Sequence, residues 1–109
     1  MNVERLIKRI ESRPGMYVGK PSLEAIFHFI NGYLYNNIEA NRADDVDMAF
    51  KNYFHEWVKV SLEKDYSIKF DEQRNYIFYI NQIFQDTEQR ITAFFQLSNN
   101  FFSEIDKHK

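Results

Sequence analysis

The helix-breaking residues of this chain are concentrated in one stretch, residues 13–22, which reads Arg-Pro-Gly-Met-Tyr-Val-Gly-Lys-Pro-Ser. Both prolines and two of the three glycines lie there. Because proline and glycine interrupt regular structure most strongly, the stretch predicts a break between two elements. We expect a short helix to run into it and a long helix to leave it.

Within this stretch, Pro14 and Gly15 predict a turn. Proline fixes φ at the second turn position, and glycine accepts a positive φ at the third. The apolar side chains of Met16, Tyr17 and Val18 are then expected to pack the loop onto the core.

The residues that flank this turn set the helix ends. Pro14 disfavours helical geometry at Arg13, so the first helix is expected to end near Ser12. The guanidinium of Arg13 is expected to bond the last carbonyls of that helix or a nearby carboxylate, which is a structural role. The second helix is expected to begin at Pro21, and its cap is Gly19 or Lys20, or alternatively Ser22.

Apolar residues recur at the i, i+3, i+4, i+7 spacing of a helix face in five segments. The positions are Val3, Leu6, Ile7 and Ile10; Leu23, Ile26, Phe27, Ile30, Leu34 and Ile38; Phe50, Tyr53, Phe54, Trp57, Val58 and Leu62; Tyr76, Ile77, Ile80, Ile83 and Phe84; and Ile91, Phe94, Phe95, Ser98, Phe101, Phe102 and Ile105. Helices of this length need each other to bury their stripes. The pattern therefore predicts an all-α bundle of about five helices in a single domain, residues 1–109.

Details of these segments carry further expectations. Trp57 is expected to be buried at the centre of the most aromatic helix. Gly32 lies in mid-helix and predicts close contact with a neighbouring helix.

Asn2 and an Asp within residues 41–47 are expected N-caps, and Asp86 with Gln89 has the form of a capping box. Residues 66–70 alternate like a strand but have nothing to pair with, so they predict an extended connector. Residues 106–109 are expected to fray.

Composition excludes several classes of function. The net charge is −2, which leaves no basic footprint for nucleic acid or an anionic membrane. There is no cysteine, so disulfides and thiolate chemistry are excluded. No apolar run is long enough to span a membrane, and no signal peptide follows the first methionine. A cytoplasmic protein is the expectation.

No spacing of polar residues predicts catalysis, a cofactor or a metal. The histidines, His28, His55 and His108, lie in no ligand pattern, and the Asp-rich segment around residues 44–47 lacks the glycine of a calcium loop. No serine has a Gly-x-Ser-x-Gly context, and no glycine-rich phosphate loop is present. We therefore expect no enzyme. The alternative is an enzyme using Arg13, Tyr17, His55 and Glu56.

The heptapeptide of residues 13–19 resembles a motif in the ATPase domain of the DNA gyrase B subunit and its type II topoisomerase relatives. In that family the motif leads into a helix with a catalytic Glu and a magnesium-holding Asn. Phe29 and Tyr33 lie near those places here. The resemblance therefore implies shared turn chemistry and no ATP binding.

Most of the chain resembles a group of small, uncharacterised bacterial proteins. Their pattern is Arg-Pro-Gly-Met-Tyr-x-Gly, a Ser-Leu/Ile helix ending in Phe-x-x-Gly-Tyr, a Phe-His-x-Trp/Phe-Val segment, and an acidic start to a Phe-Phe helix. It is matched by residues 13–19, Ser22-Leu23, residues 29–33, residues 54–58, Asp86-Thr87-Glu88 and Phe94-Phe95. Such proteins look like immunity proteins that accompany bacterial polymorphic toxins.

Two functional hypotheses follow. The first is a protein-binding module, of the immunity type, that neutralises a basic toxin. The second is a structural or regulatory helical protein that self-associates. A binding surface is expected among aromatic residues off the stripes and acidic residues near them, although those aromatics could instead pack under neighbouring helices. These candidates are Phe29, Tyr35, Asp44, Asp45, Asp47, Phe78 and Tyr79.

Overall fold

The computed structural model describes residues 1–107 and contains six α-helices in that range. They are α1 Val3–Ser12, α2 Pro14–Val18, α3 Leu23–Glu39, α4 Asp45–Tyr66, α5 Tyr76–Ile83 and α6 Thr87–Lys107. Residues 1–107 contain no strand, which confirms the all-α prediction. Helix α6 continues through Asp106 and Lys107, so the predicted fraying is wrong there, and His108 and Lys109 lie outside the described residues.

The chain divides into two compact units, Met1–Lys51 and Asn52–Lys109. The first holds α1, α2, α3 and the start of α4, and the second holds the rest of α4 with α5 and α6. That residues 1–109 form one domain stays a prediction.

In the first unit, the predicted apolar stripes supply the buried side chains. These are Val3, Leu6, Ile7 and Ile10 on α1, Leu23, Ile26, Ile30 and Leu34 on α3, and Val46 and Phe50 on α4. Side-chain caps fix where α1 and α3 begin. The Asn2 side chain accepts the Arg5 N–H at 3.1 Å, and Ser22 Oγ accepts the Ala25 N–H at 3.0 Å. Ser22 is therefore the cap among the predicted alternatives.

The start of α4 is fixed by a reciprocal pair of aspartates. Asp44 Oδ1 accepts the Asp47 N–H at 2.8 Å, and Asp47 Oδ2 accepts the Asp44 N–H at 3.2 Å. Burial alone would raise the pKa of Asp44, but the bonds from the Asp47 N–H and the Asn2 side chain outweigh it and lower that pKa below 3.8. The predicted aspartate cap is confirmed.

The stretch after α1 differs from its prediction. Pro14 opens the short helix α2 at its first turn, so the expected turn at Pro14 and Gly15 is wrong, and the positive φ belongs to Gly19 instead, at 67°. Proline suits a first helical turn because its missing N–H has no partner there. Met16 is 71% exposed, so it does not anchor this segment to a core as expected.

Two other expectations in the first unit are wrong. Gly32 is exposed, and a Cβ added there would meet nothing within 4 Å, so no neighbouring helix requires a glycine. The Arg13 guanidinium lies 3.8 Å from the Met16 sulfur, instead of on a carbonyl or a carboxylate. An exposed arginine side chain can reach the Met16 sulfur as well as a carbonyl or a carboxylate, and spacing along the chain does not decide which of them it contacts.

In the second unit, aromatic rings meet around Phe54. Its ring centroid lies 5.0 Å from that of Tyr76, 6.1 Å from Phe94 and 5.2 Å from Phe101. Trp57 is only partly buried, so the prediction that it is the buried centre is wrong. The fully buried aromatic centre is Phe54, whose ring contacts Tyr76 of α5 and Phe94 and Phe101 of α6.

The ends of α5 and α6 are capped by local and distant groups. Asn75 Oδ1 accepts the Phe78 N–H at 2.9 Å, and Asp86 Oδ1 accepts the Gln89 N–H at 3.0 Å, which is one of the two bonds of the predicted capping box. His55 Nδ1 accepts the Tyr76 N–H, the first of α5, at 3.0 Å. Residues 68–70 have no regular structure, as expected of a connector. Tyr66 belongs to α4 and Ser67 has a positive φ of 54°, so the predicted extended form of residues 66–70 is wrong at those two residues.

Candidate functional site

The predicted binding residues of the first unit differ in their accessibility. Tyr35 is 69% exposed and Phe29 is 37% exposed, with the Phe29 ring edge-on to Tyr17 at 5.9 Å. Asp44 and Asp45 are also exposed. Asp47 is fully buried and accepts the Val3 N–H at 2.7 Å, so the expectation that it faces a partner is wrong. A buried carboxylate needs such partners, and the first N–H of α1 supplies one.

The predicted binding residues of the second unit also differ in their accessibility. Phe78 is partly exposed, and the guanidinium of Arg74 lies 4.6 Å from its ring centroid. Tyr79 is fully buried, and its hydroxyl accepts the Arg74 N–H at 2.6 Å and donates to the Glu72 carbonyl at 3.3 Å. Tyr79 therefore holds the connector in place, and its predicted exposure is wrong.

The second unit contains a groove between α4 and α6 that lies outside the predicted binding surface. Two cavities, of about 350 Å³ and about 450 Å³, share Ser61, Asp65 and Asn100 as walls. One extends towards Tyr66, and the other extends towards Trp57. We call the surface lined by both cavities the α4–α6 groove.

Helical spacing places these side chains along the groove. On α4, Trp57, Ser61 and Asp65 are four residues apart, so they lie on one helix face. On α6, Glu104 follows Asn100 by the same spacing. The Phe101 ring lies 5.6 Å from that of Trp57, so aromatic packing below the groove fixes the two helices at this point.

The end of the groove at Trp57 combines an aromatic ring with carboxylates. Trp57 Nε1 donates a hydrogen bond to Glu104 Oε2 at 2.9 Å. Asp65 and Lys107 also line this end. Within the described residues, neither Asp65 nor Glu104 forms an ion pair. The groove therefore presents two carboxylates and one ammonium beside a partly exposed indole.

The sequence did contain a signal for this groove. Small polar residues follow Trp57 at four-residue steps, and a helix face that packs against a core seldom carries Ser61 and Asp65 in succession. The interpretation of Trp57 as the core centre concealed that signal, because one stripe was assumed to be buried along its whole length.

Residues 1–107 hold no group of three or more histidine, aspartate or glutamate side chains placed to bind a metal ion. In that range, no helix combines the length and the apolar character needed to cross a membrane. Burial lowers the pKa of His55, whose Nδ1 is already committed to α5.

No family model, curated protein or solved structure matches this chain.

Proposed function

We propose that this chain is a non-enzymatic protein-binding module, of the immunity type, that binds a basic partner through the α4–α6 groove. The observation that carries the proposal is the exposed part of Trp57, the only tryptophan, fixed at the groove by Glu104. Tryptophan is among the residues that contribute most to the energy of protein interfaces.

Charge indicates the kind of partner. Asp65 and Glu104 give the end of the groove at Trp57 a net negative charge despite Lys107. Carboxylates on a binding surface accelerate association with a basic protein and disfavour acidic ones. A toxin that cleaves nucleic acid has a basic surface, which suits the immunity role that the family resemblance implies.

A second candidate is self-association through α4. Tyr53 is 65% exposed and Val60 is 53% exposed, and they are seven residues apart on that helix. Side chains at this spacing share one face, so two copies could bury them against each other.

Co-purification with the product of the adjacent gene tests the first candidate. Wild type should retain that product, and Glu104→Lys should retain much less of it because the groove becomes positive. Asp71→Lys makes the same charge change on an exposed residue outside the groove, so it should bind like wild type. Tyr35→Ala tests whether the predicted aromatic site of the first unit contributes.

Sedimentation of the purified chain at several concentrations distinguishes the second candidate. A concentration-dependent dimer that Tyr53→Ser abolishes, together with no captured partner, would favour self-association. A monomer at all concentrations would exclude self-association.

A further inference from the structure

We propose that the α4–α6 groove receives a single arginine side chain, whose guanidinium stacks on Trp57 and pairs with the Glu104 carboxylate. The identity of the partner protein that carries this arginine rests on the proposed function. The site itself is argued from the ring, the carboxylates and the space between them.

Trp57 supplies the stacking surface. Its ring is nearly parallel to that of Phe54, with an interplanar angle of 12° and 6.4 Å between centroids, and Phe101 meets it edge-on. These contacts fix the plane of the indole, and Trp57, which is partly exposed, lines the cavity of about 450 Å³. A cation is attracted to the face of an aromatic ring, and tryptophan gives the strongest such contact.

Glu104 supplies the charge. Its Oε2 accepts the indole N–H at 2.9 Å, which orients the carboxylate along the edge of the ring. A carboxylate accepts about four hydrogen bonds, so Glu104 keeps capacity for a further donor. Asp65 lies on the same cavity wall and adds a second negative charge.

Arginine fits this arrangement better than other ligands. A planar guanidinium can stack on a ring and donate two parallel hydrogen bonds to a carboxylate, whereas the ammonium of lysine is a strongly hydrated point charge. Phosphates and acidic peptides would face two carboxylates.

Among residues 1–107, Lys107 is the cation that lines this end of the groove and opposes an incoming guanidinium. Its ammonium is on a flexible stem and exposed, so it can move away from an incoming cation at some cost. The proposal therefore makes two opposite predictions on one helix: loss of the Glu104 charge weakens arginine binding, and loss of the Lys107 charge strengthens it.

Trp57 is the only tryptophan, so its fluorescence reports directly on the groove. The full chain would be titrated with N-acetyl-arginine amide at constant ionic strength, beside the lysine and citrulline equivalents. Citrulline has nearly the same shape as arginine and no charge. We expect a saturable change with arginine and weaker binding of lysine. Citrulline should bind at least roughly tenfold more weakly than arginine, because a charge-assisted hydrogen bond is lost.

The variants sharpen this test. Glu104→Gln retains the shape and an acceptor for Trp57, and it should weaken arginine binding roughly fivefold to tenfold. Lys107→Met should tighten it, and Asp71→Asn should leave it unchanged. Equal binding of arginine and citrulline, no saturable change, or an unchanged affinity in Glu104→Gln would overturn the arginine site.

Failure of the arginine site can be distinguished from failure of the proposed binding function. If the adjacent gene's product binds wild type and Glu104→Gln equally well, the arginine site is wrong and the binding function stands. If N-acetyl-arginine amide binds as expected but no partner is retained, the arginine site stands and the proposed partner is wrong.

Discussion

At the scale of single residues, Asp47 joins the beginnings of two helices. Its Oδ1 accepts the first N–H of α1, from Val3, and its Oδ2 accepts the Asp44 N–H before α4. A negative charge at a helix N-terminus is favoured by the helix dipole, and burial makes the loss of either bond costly. Asp47 is therefore a stabilising residue of the first unit, whereas sequence reasoning placed it on a binding surface.

Asp47→Ala should lower the free energy of unfolding by about 3 kcal/mol, because it leaves a buried N–H without its charged acceptor. Asp45→Ala, on the exposed neighbour in the same helical turn, should cost about 0.5 kcal/mol. Urea denaturation of both variants measures the difference. Similar losses in the two would show that the buried carboxylate has no special role.

Phe54 and Trp57 lie one turn apart on α4 and differ in burial. Phe54→Ala removes a fully buried ring and should cost about 4 kcal/mol. Trp57→Ala removes a partly exposed ring and one hydrogen bond, so we expect about 2 kcal/mol. Denaturant melts followed by circular dichroism compare them. A larger loss for Trp57 than for Phe54 would restore the original core assignment.

At the scale of elements, α5 depends on a histidine that is distant in the chain. His55 Nδ1 accepts the first N–H of α5 only while the imidazole is neutral, and burial lowers the His55 pKa below 6.5. The unfolded chain therefore binds a proton at a higher pH than the folded chain. Stability should be complete above pH 6.5 and fall as the pH decreases through that value and below it.

Thermal unfolding from neutral to mildly acidic pH tests this expectation. Wild type should lose stability as the pH falls, and His55→Asn, which keeps an acceptor without a titrating ring, should lose less over the same range. The exposed His28→Asn is the control and should behave like wild type. Parallel pH profiles for wild type and His55→Asn would contradict the account.

Helix α3 gives a prediction that reverses the sequence interpretation of Gly32. The site is exposed and helical, and a Cβ there meets nothing within 4 Å. Gly32→Ala should therefore raise the free energy of unfolding by about 0.5–1 kcal/mol, because alanine has less backbone freedom to lose on folding. A loss of stability in a urea melt would reveal a constraint at Gly32 that this geometry does not contain.

These elements show which features could be predicted from the sequence. The stripes of α1 and α6 and the caps at Asn2 and Asp86 depend on spacing over a few residues, so local pattern was sufficient. The same pattern left Gly19, Lys20 and Ser22 open as the cap of α3, and the structure selects Ser22. The helical form of residues 14–18 was missed because Pro14 is compatible with both a turn and a first helical turn. The burial of Asp47 and Tyr79 depends on partners far away in the sequence or on packing, which no local window contains.

At the scale of the whole molecule, this is an all-α chain whose proposed function depends on a surface. The groove combines an indole, two carboxylates and small polar side chains from α4 and α6. The sequence predicts an acidic and aromatic binding surface on other residues, of which Asp47 and Tyr79 are buried, and the groove is the surface that we propose instead. Which aromatic residue stays partly exposed is decided by how the helices pack, and periodicity alone does not specify that.

The most direct test is the affinity of the adjacent gene's product for wild type, Glu104→Lys and Asp71→Lys, measured by surface plasmon resonance at low and high salt. The account predicts tight binding to wild type and to Asp71→Lys, weakened by salt, and a loss of at least roughly tenfold in Glu104→Lys. Undiminished binding by Glu104→Lys, with all three proteins equally stable, would contradict the claim that the α4–α6 groove binds the partner.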